Sequence, residues 1–228
     1  MFSFFQLLEN LATRDTIVLY QCGTPRPTNT PESAMYIEVP INAAAFDSVE
    51  YLTYMEMLGR RQNIKYVESP EETASACIMW QFGQGSILEL SATNATLRAS
   101  QLENVDVLFA GREDFSSKSV SISVSSEPSP LQVRPFETFT AAANRSVRQM
   151  AEWLKFFALF FNEEGRADEV YDDIVTTYNC LKNNVAHQFG GEGKPNLAWV
   201  SFSNATGYPI WTLSAQDWKN VLTTDAGA

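Results

Sequence analysis

The stretch Ser146 to His187, SVRQMAEWLKFFALFFNEEGRADEVYDDIVTTYNCLKNNVAH, decides how the rest of the chain is organised. Its first part places Val147, Met150, Ala151, Leu154, Phe157, Ala158 and Phe161 at helical spacing. Trp153, Phe156 and Phe160 form a second apolar stripe beside them. Only Arg148, Glu152 and Lys155 are left as a narrow polar strip. A helix apolar over more than half its circumference is expected to lie against protein on two flanks. The second part reads as a plainer amphipathic helix, with Ala167, Val170, Tyr171, Ile174, Tyr178, Leu181 and Val185 on one stripe. Asn162 is placed to cap it, and Glu163 and Glu164 suit its positive end.

Upstream of these helices the pattern alternates between strand and helix. Thr16 to Tyr20 and Met35 to Ile41 read as strands separated by the turn-rich Gly23 to Pro31. Phe46 to Gly59 changes to helical period, opened by Asp47 and closed by Gly59, and Ile64 to Val67 is a short strand. Ser69-Pro70-Glu71-Glu72 carries the pattern of a capping box, Ser69 as cap and Glu72 reaching back, for a helix from Glu71 to about Phe82. Ile87 to Leu90, the nearly all apolar Val105 to Ala110, and Val120, Ile122 and Val124 give further strands; Leu97 to Leu102 gives a helical turn. Pro128, Pro130 and Pro135 mark a connection to the long helices. Beyond them, Leu197 to Phe202 reads as a strand, Tyr208 and Trp211 as a loop, and Ala215 to Leu222 as a helix.

This alternation predicts an α/β fold: an open, mostly parallel sheet lobe over residues 14–144, a long hinge helix and its successor over 145–190, and the start of a second α/β lobe over 194–228. An isolated strand and helix do not make a domain, so the second lobe is expected to be truncated or completed by something else. Ligands of open parallel sheets bind outside the carboxyl ends of the strands. The candidates are therefore Phe46 and Asp47, Glu68 and Ser69, Arg112, and Ser125 to Glu127. Arg112, at the end of a buried strand, is placed to pair with an anionic or amide-bearing ligand.

Several function classes fall away. The net charge of −11 argues against nucleic acid or an anionic membrane surface as partner. The longest apolar run of the helical stretch, Phe156 to Phe161, is far short of the ~20 residues of a membrane span. His187 is the single histidine, which leaves neither a zinc site nor a Ser-His-Asp arrangement well supported, and Gly83-Gln84-Gly85 lacks the rest of a phosphate loop. The chain is thus not expected to be an enzyme, nor to carry a metal or cofactor of its own. Cys22, Cys77 and Cys180 have no C-x-x-C spacing, and their number fits either a disulfide with one thiol over or three cytosolic thiols. Asn94-Ala95-Thr96, Asn144-Arg145-Ser146 and Asn204-Ala205-Thr206 are N-glycosylation acceptor triplets and tilt toward a secreted or cell-surface protein. Met1 to Leu8 does not read as a signal peptide.

The order of one α/β lobe, a long helix and the opening of a second lobe resembles the class III substrate-binding proteins of ABC importers. Leu19-Tyr20-Gln21-Cys22-Gly23-Thr24-Pro25 resembles the family's first hairpin, and Val39-Pro40 leading to Tyr51 through Gly59 its first strand and helix. Val105 to Phe109 resembles its strand before the cleft, and Glu152 to Asn162 its hinge helix. Within the family the chain looks most like the algal cobalamin acquisition proteins. The resemblance implies a non-enzymatic solute-binding protein that holds a metal chelate, cobalamin first and haem or a siderophore next, in a cleft between two lobes for uptake. Phe46, Tyr208 and Trp211 would offer flat faces to a corrin or porphyrin ring. Glu68 and Glu127 would be lip carboxylates; in bacterial relatives a glutamate on each lobe docks on arginines of the membrane permease. A transporter or receptor partner and a monomer follow from the same resemblance. The alternative is a secreted or surface interaction protein that keeps the fold without binding a ligand.

Overall fold

The computed structural model describes residues 4–9, 16–31, 34–110, 131–133, 147–188, 195–204, 207–214 and 217–228. The chain divides into two compact units, Met1–Phe139 with Leu154–Ala167, and Thr140–Trp153 with Asp168–Ala228. Both boundaries in the helical stretch fall inside the helices, whereas the sequence suggested limits at their ends.

The first unit holds two sheets. Strands β1 (Phe5–Glu9), β2 (Thr16–Gln21) and β3 (Met35–Val39) form one, in that order. β1 runs antiparallel to β2, and β2 runs parallel to β3. The other is all parallel and is built from β4 (Ala44–Phe46), β5 (Ile64–Val67), β6 (Leu88–Glu89), β7 (Val107–Phe109) and β8 (Leu131–Val133), in the order β6-β5-β4-β7-β8. Every residue of β4 and β7 is buried, as central strands covered on both faces must be. On one face Ala45, Tyr66, Leu90, Val105, Leu108 and Ala110 cluster with the partly buried Leu102. On the other, Phe46 stacks on Phe109 at 5.1 Å, and Phe109 meets Phe157 and Phe160 at 5.0 and 5.1 Å.

Those last rings belong to the helix that opens the decisive stretch, α4 (Val147–Leu159), and to the turn after it. Leu154, Phe157, Ala158, Phe160 and Phe161 are all buried, and Phe157 also stacks on Tyr54 at 5.1 Å. The apolar second half of α4 is therefore core of the first unit. The Ile41 N–H donates to the Phe160 carbonyl at 2.9 Å and fastens the exit of β3 to the same turn.

Local chemistry moves several boundaries. Phe46 ends strand β4, and Asp47 does not cap a helix. Ser48 does, accepting from the Glu50 N–H at 3.3 Å ahead of a 3-10 turn, and α1 runs Leu52–Met57 with Gly59 at φ +69° closing it as expected. Ser69 is not a cap either. It sits in the left-handed region at φ 51° before a 3-10 turn, Pro70–Glu72, and α2 (Ala76–Gly83) starts later. Its cap is Ser75, whose hydroxyl accepts from the Ile78 N–H at 3.2 Å and donates to Glu56 at 2.7 Å. The second link, to α1, is tertiary and gives Ser75 an advantage that no local pattern displays. Helix α3 (Ala95–Leu102) is capped by Asn94. The strand at Val120 to Val124 lies outside the described residues, and the proline-flanked segment read as a connection contains β8.

Helix α5 (Glu164–Gln188) follows α4. Asn162 does not cap it. The residue adopts φ 55°, and its amide makes a reciprocal pair with Gln21 at 2.9 and 3.0 Å. In the second unit the narrow polar strip of α4 faces α5: Arg148 donates to Asn179 at 2.5 Å and the Tyr171 hydroxyl donates to Glu152 at 3.0 Å. The unit is completed by an antiparallel hairpin of β9 (Val200–Ser203) and β10 (Ile210–Leu213), and by α6 (Asp217–Asp225). Trp211, read as loop, lies in β10 opposite Phe202. Helix α6 is held on α5 by Asp225, which accepts from Tyr178 at 2.6 Å and pairs with Lys182 at 2.9 Å.

Candidate functional site

An open parallel sheet offers a binding crevice where the chain reverses the direction in which it adds strands, because the loops there diverge. The chain lays down β4, β5 and β6 toward one side and returns to add β7 and β8 on the other side of β4. The switch point is thus between β4 and β7, and the loops leaving their carboxyl ends begin at Asp47 and Ala110. Asp47 joins them directly, its N–H donating to the Phe109 carbonyl at 3.2 Å. On the other side the Glu68 N–H donates to the Phe46 carbonyl at 2.9 Å, so the ends of three adjacent strands are tied together.

Of the residues expected here, Phe46, Asp47, Glu68 and Ser69 are brought to this one edge. Their side chains do different things. Phe46 is fully buried and stacked on Phe109, so it supports the edge from within and offers no face to a ligand. Asp47 is also buried. Glu68 is not an exposed lip carboxylate: it is 7 % exposed and pairs with Arg98 of α3 at 2.9 Å. Arg98 donates in turn to the Ser91 carbonyl at 2.9 Å, which draws the loop after β6 to the same edge. Ser69 keeps partial exposure and a left-handed backbone, a conformation a non-glycine residue holds at a cost of about 1 kcal/mol or more and one that collects at ligand-contacting loops. Arg112 and Glu127 lie outside the described residues.

Arg98 was missed by sequence reasoning. It follows Glu68 by thirty positions, on a short helix with no other mark, and only the fold makes them neighbours. Ser48, the partly exposed cap just past β4, is the other residue the pattern passed over.

Tyr208 and Trp211 belong to the second unit, on and beside its hairpin. Both are strongly exposed, and Trp211 lies 4.9 Å from Phe202, ring to ring. Strand alternation puts Val200, Phe202, Trp211 and Leu213 on one face of the hairpin, with 50 to 73 % of each exposed. The residues on the opposite face are exposed too, and the contact with α6 is made just before β9, where Trp199 donates to Thr223 at 2.8 Å and packs 6.2 Å from Trp218. Among the described residues, no group of three or more His, Cys, Asp and Glu side chains is arranged to hold a metal, and no helix is long and apolar enough to cross a membrane. Cys22, Cys77 and Cys180 are exposed free thiols.

No protein-family model matches the chain, and no curated protein matches it in sequence. Its fold is similar to that of a periplasmic binding protein from Veillonella parvula, with a TM-score of 0.54 at 8 % identity over 83 % of this chain and 58 % of that one. Looser likenesses join it to a periplasmic binding protein component of a Fep/Fec-like ferrichrome ABC transporter from Bacillus subtilis (TM-score 0.41, 12 % identity, 72 % of this chain and 54 % of that one). A further one is to the Fe3+–Desferal-bound siderophore binding protein FhuD from Vibrio cholerae (TM-score 0.45, 16 % identity, 71 % and 57 %). The chain thus has the α/β architecture of a periplasmic binding protein and spans 58 % of the length of the Veillonella protein.

Proposed function

We propose that this chain is a non-enzymatic solute-binding protein acting outside the cytoplasm, which captures a metal chelate for uptake and hands it to a membrane transporter or receptor. The observation that carries this reading is the switch point between β4 and β7, at the carboxyl edge of a five-stranded parallel sheet with the architecture of a periplasmic binding protein. Cobalamin is the first candidate ligand, and haem or a siderophore the next. Two surfaces supply contacts. On the first unit these are Ser69 and, in sequence just past β7, Arg112, with the buried Asp47 tying the strand ends together behind them; the second unit has its own surface, the exposed rings of Tyr208 and Trp211, suited by itself to a broad flat ligand.

Calorimetry of the full chain with cyanocobalamin, haemin and a ferric hydroxamate tests this. Binding of at least one at a Kd of ~1 µM or tighter, equivalent to about −8 kcal/mol, is expected. Trp211→Ala is expected to weaken it about tenfold, or ~1.4 kcal/mol. No heat with any of the three would remove the reading. It would leave the alternative, a surface interaction protein, for which the apolar hairpin face of Val200, Phe202, Trp211 and Leu213 is the specific support.

A further inference from the structure

We infer that Asn94 is an N-glycan attachment site, and that the fold carries the sugar without giving up the helix cap provided by the same side chain. The triplet Asn94-Ala95-Thr96 opens α3, and both Asn94 and Thr96 are exposed. Every other polar atom of Asn94 has a task. Its N–H donates to Ser91 Oγ at 3.1 Å, its carbonyl accepts from the Arg98 N–H at 2.9 Å, and Oδ1 accepts from the Leu97 N–H at 3.0 Å. Nδ2, the atom that takes the sugar, has no hydrogen-bond partner among the described residues.

This division of labour inside one amide is what makes the site tolerable. An oligosaccharyl transferase moves the glycan from a lipid-linked oligosaccharyl diphosphate: the bond from sugar C1 to the diphosphate oxygen breaks, its electron pair leaves with the diphosphate, C1 bonds to Nδ2, and one Nδ2 proton is released. The product is still an amide whose Oδ1 keeps its lone pairs, so the cap to Leu97 persists. The transferase meets the chain before it has folded, and the folded geometry decides whether the modified chain can close. Here nothing has to be displaced from Nδ2. The other triplets are less complete on this point: Asn204 is exposed, but Thr206 and all of Asn144 lie outside the described residues. The inference needs the export route expected of the chain and is independent of which ligand it binds.

The test is expression of the full chain behind a cleavable leader in a eukaryotic secretory host, read on both medium and microsomal fraction by gel mobility and peptide mass before and after N-glycosidase. Thr96→Ala removes the acceptor hydroxyl and leaves the cap, whereas Asn94→Asp keeps a capping oxygen and removes the amide. The Asn94 peptide should be converted to Asp by the glycosidase, and one mobility step should be absent from both variants. Treated and untreated protein should melt within about 2 °C of each other, the low end of the shift expected on loss of a typical cap of ~1 kcal/mol in a chain of this size. An unmodified Asn94 in microsomes where Asn144, Asn204 or a control glycoprotein is modified would overturn the assignment. So would retention of the wild type in the cell with release restored by Thr96→Ala.

Discussion

Arg98→Ala removes the guanidinium that faces Glu68 at 2.9 Å, and the cost follows from where the pair sits. The two side chains keep only 12 % and 8 % of their surface exposed, so solvent screens the pair little. Taking one partner from a buried ion pair costs about 3–5 kcal/mol, most of it from the charge left behind without its counterion. The lower end applies here, because Glu68 stands at the rim of a sheet and a small shift readmits water. Loss of the bond from Arg98 to the Ser91 carbonyl loosens the β6–α3 loop as well. A cost of ~3 kcal/mol lowers the melting temperature by about 6–12 °C in a chain of this length. Urea unfolding followed by far-ultraviolet circular dichroism should show an earlier midpoint, and amide exchange should speed up across α3. Replacing both partners together, Glu68→Leu with Arg98→Met, should recover most of the loss, since a buried pair exchanged for apolar groups of similar volume is close to neutral. If Glu68 were instead a docking carboxylate, its removal would leave stability alone and weaken attachment to a partner. Melting of Arg98→Ala within about 2 °C of the wild type would refute the buried-pair reasoning.

Neighbouring phenylalanines of α4 should behave unlike one another: Phe157→Ala, at a fully buried ring with aromatic neighbours on several sides, is expected to cost about 4 kcal/mol, and the half-buried Phe156→Ala about half of that, by chemical denaturation. Ser69→Gly should be neutral or stabilise by up to ~1 kcal/mol and Ser69→Val should destabilise, because only glycine holds φ 51° without strain; equal melting of the two would dismiss strain at that turn. The docking of α6 should fail at both extremes of pH. Burial raises the Asp225 carboxyl, but hydrogen bonds from Tyr178 and Lys182 outweigh it and hold the group below its ordinary 3.8. Its contribution is therefore full above that value and is lost as acid carries the pH through the lower folded one. Burial and the bond to Asp225 push the Tyr178 hydroxyl from 10.0 to about 12, so its contribution is full below the first value and lost on rising through the second. Fluorescence of Trp199 and Trp218 against pH reads both arms, and Tyr178→Phe should abolish the alkaline one and weaken the acid one to what Lys182 sustains.

The long helices were legible because their signal is periodic and long, and the apolar second half of α4 is core of the first unit, while Trp153 and Phe156 of its second stripe are only partly buried. The short parallel strands were not. β4 is Ala44-Ala45-Phe46, with no β-branched residue and no alternation, and a strand buried on both faces has no polar side to reveal its period. β8 lies among prolines that read locally as a connection. At Ser69 the local pattern was strong and still lost to Ser75, since a hydrogen bond to Glu56 on another helix outweighs a capping box that the left-handed backbone of Ser69 does not form.

The candidate site failed to be legible for the same reason, one level up. The rule that ligands lie past strand ends pointed to the edge where the switch point falls, because it needs only the alternation of strands and helices. It could not say which side chains at that edge are free to meet a ligand. Phe46 and Asp47 are adjacent in sequence, and nothing in a three-residue strand tells whether its last ring points into the aromatic cluster or out of it; the stack on Phe109 decides, and Phe109 is known as a neighbour only once β4 and β7 are known to pair. The switch point depends on the order β6-β5-β4-β7-β8, so reading Phe46 as the opening of a helix hides the reversal that creates it. The charge of Glu68 was visible from the outset, but its burial against Arg98 was not, because the surroundings of a carboxylate are set by the cation the fold brings to it.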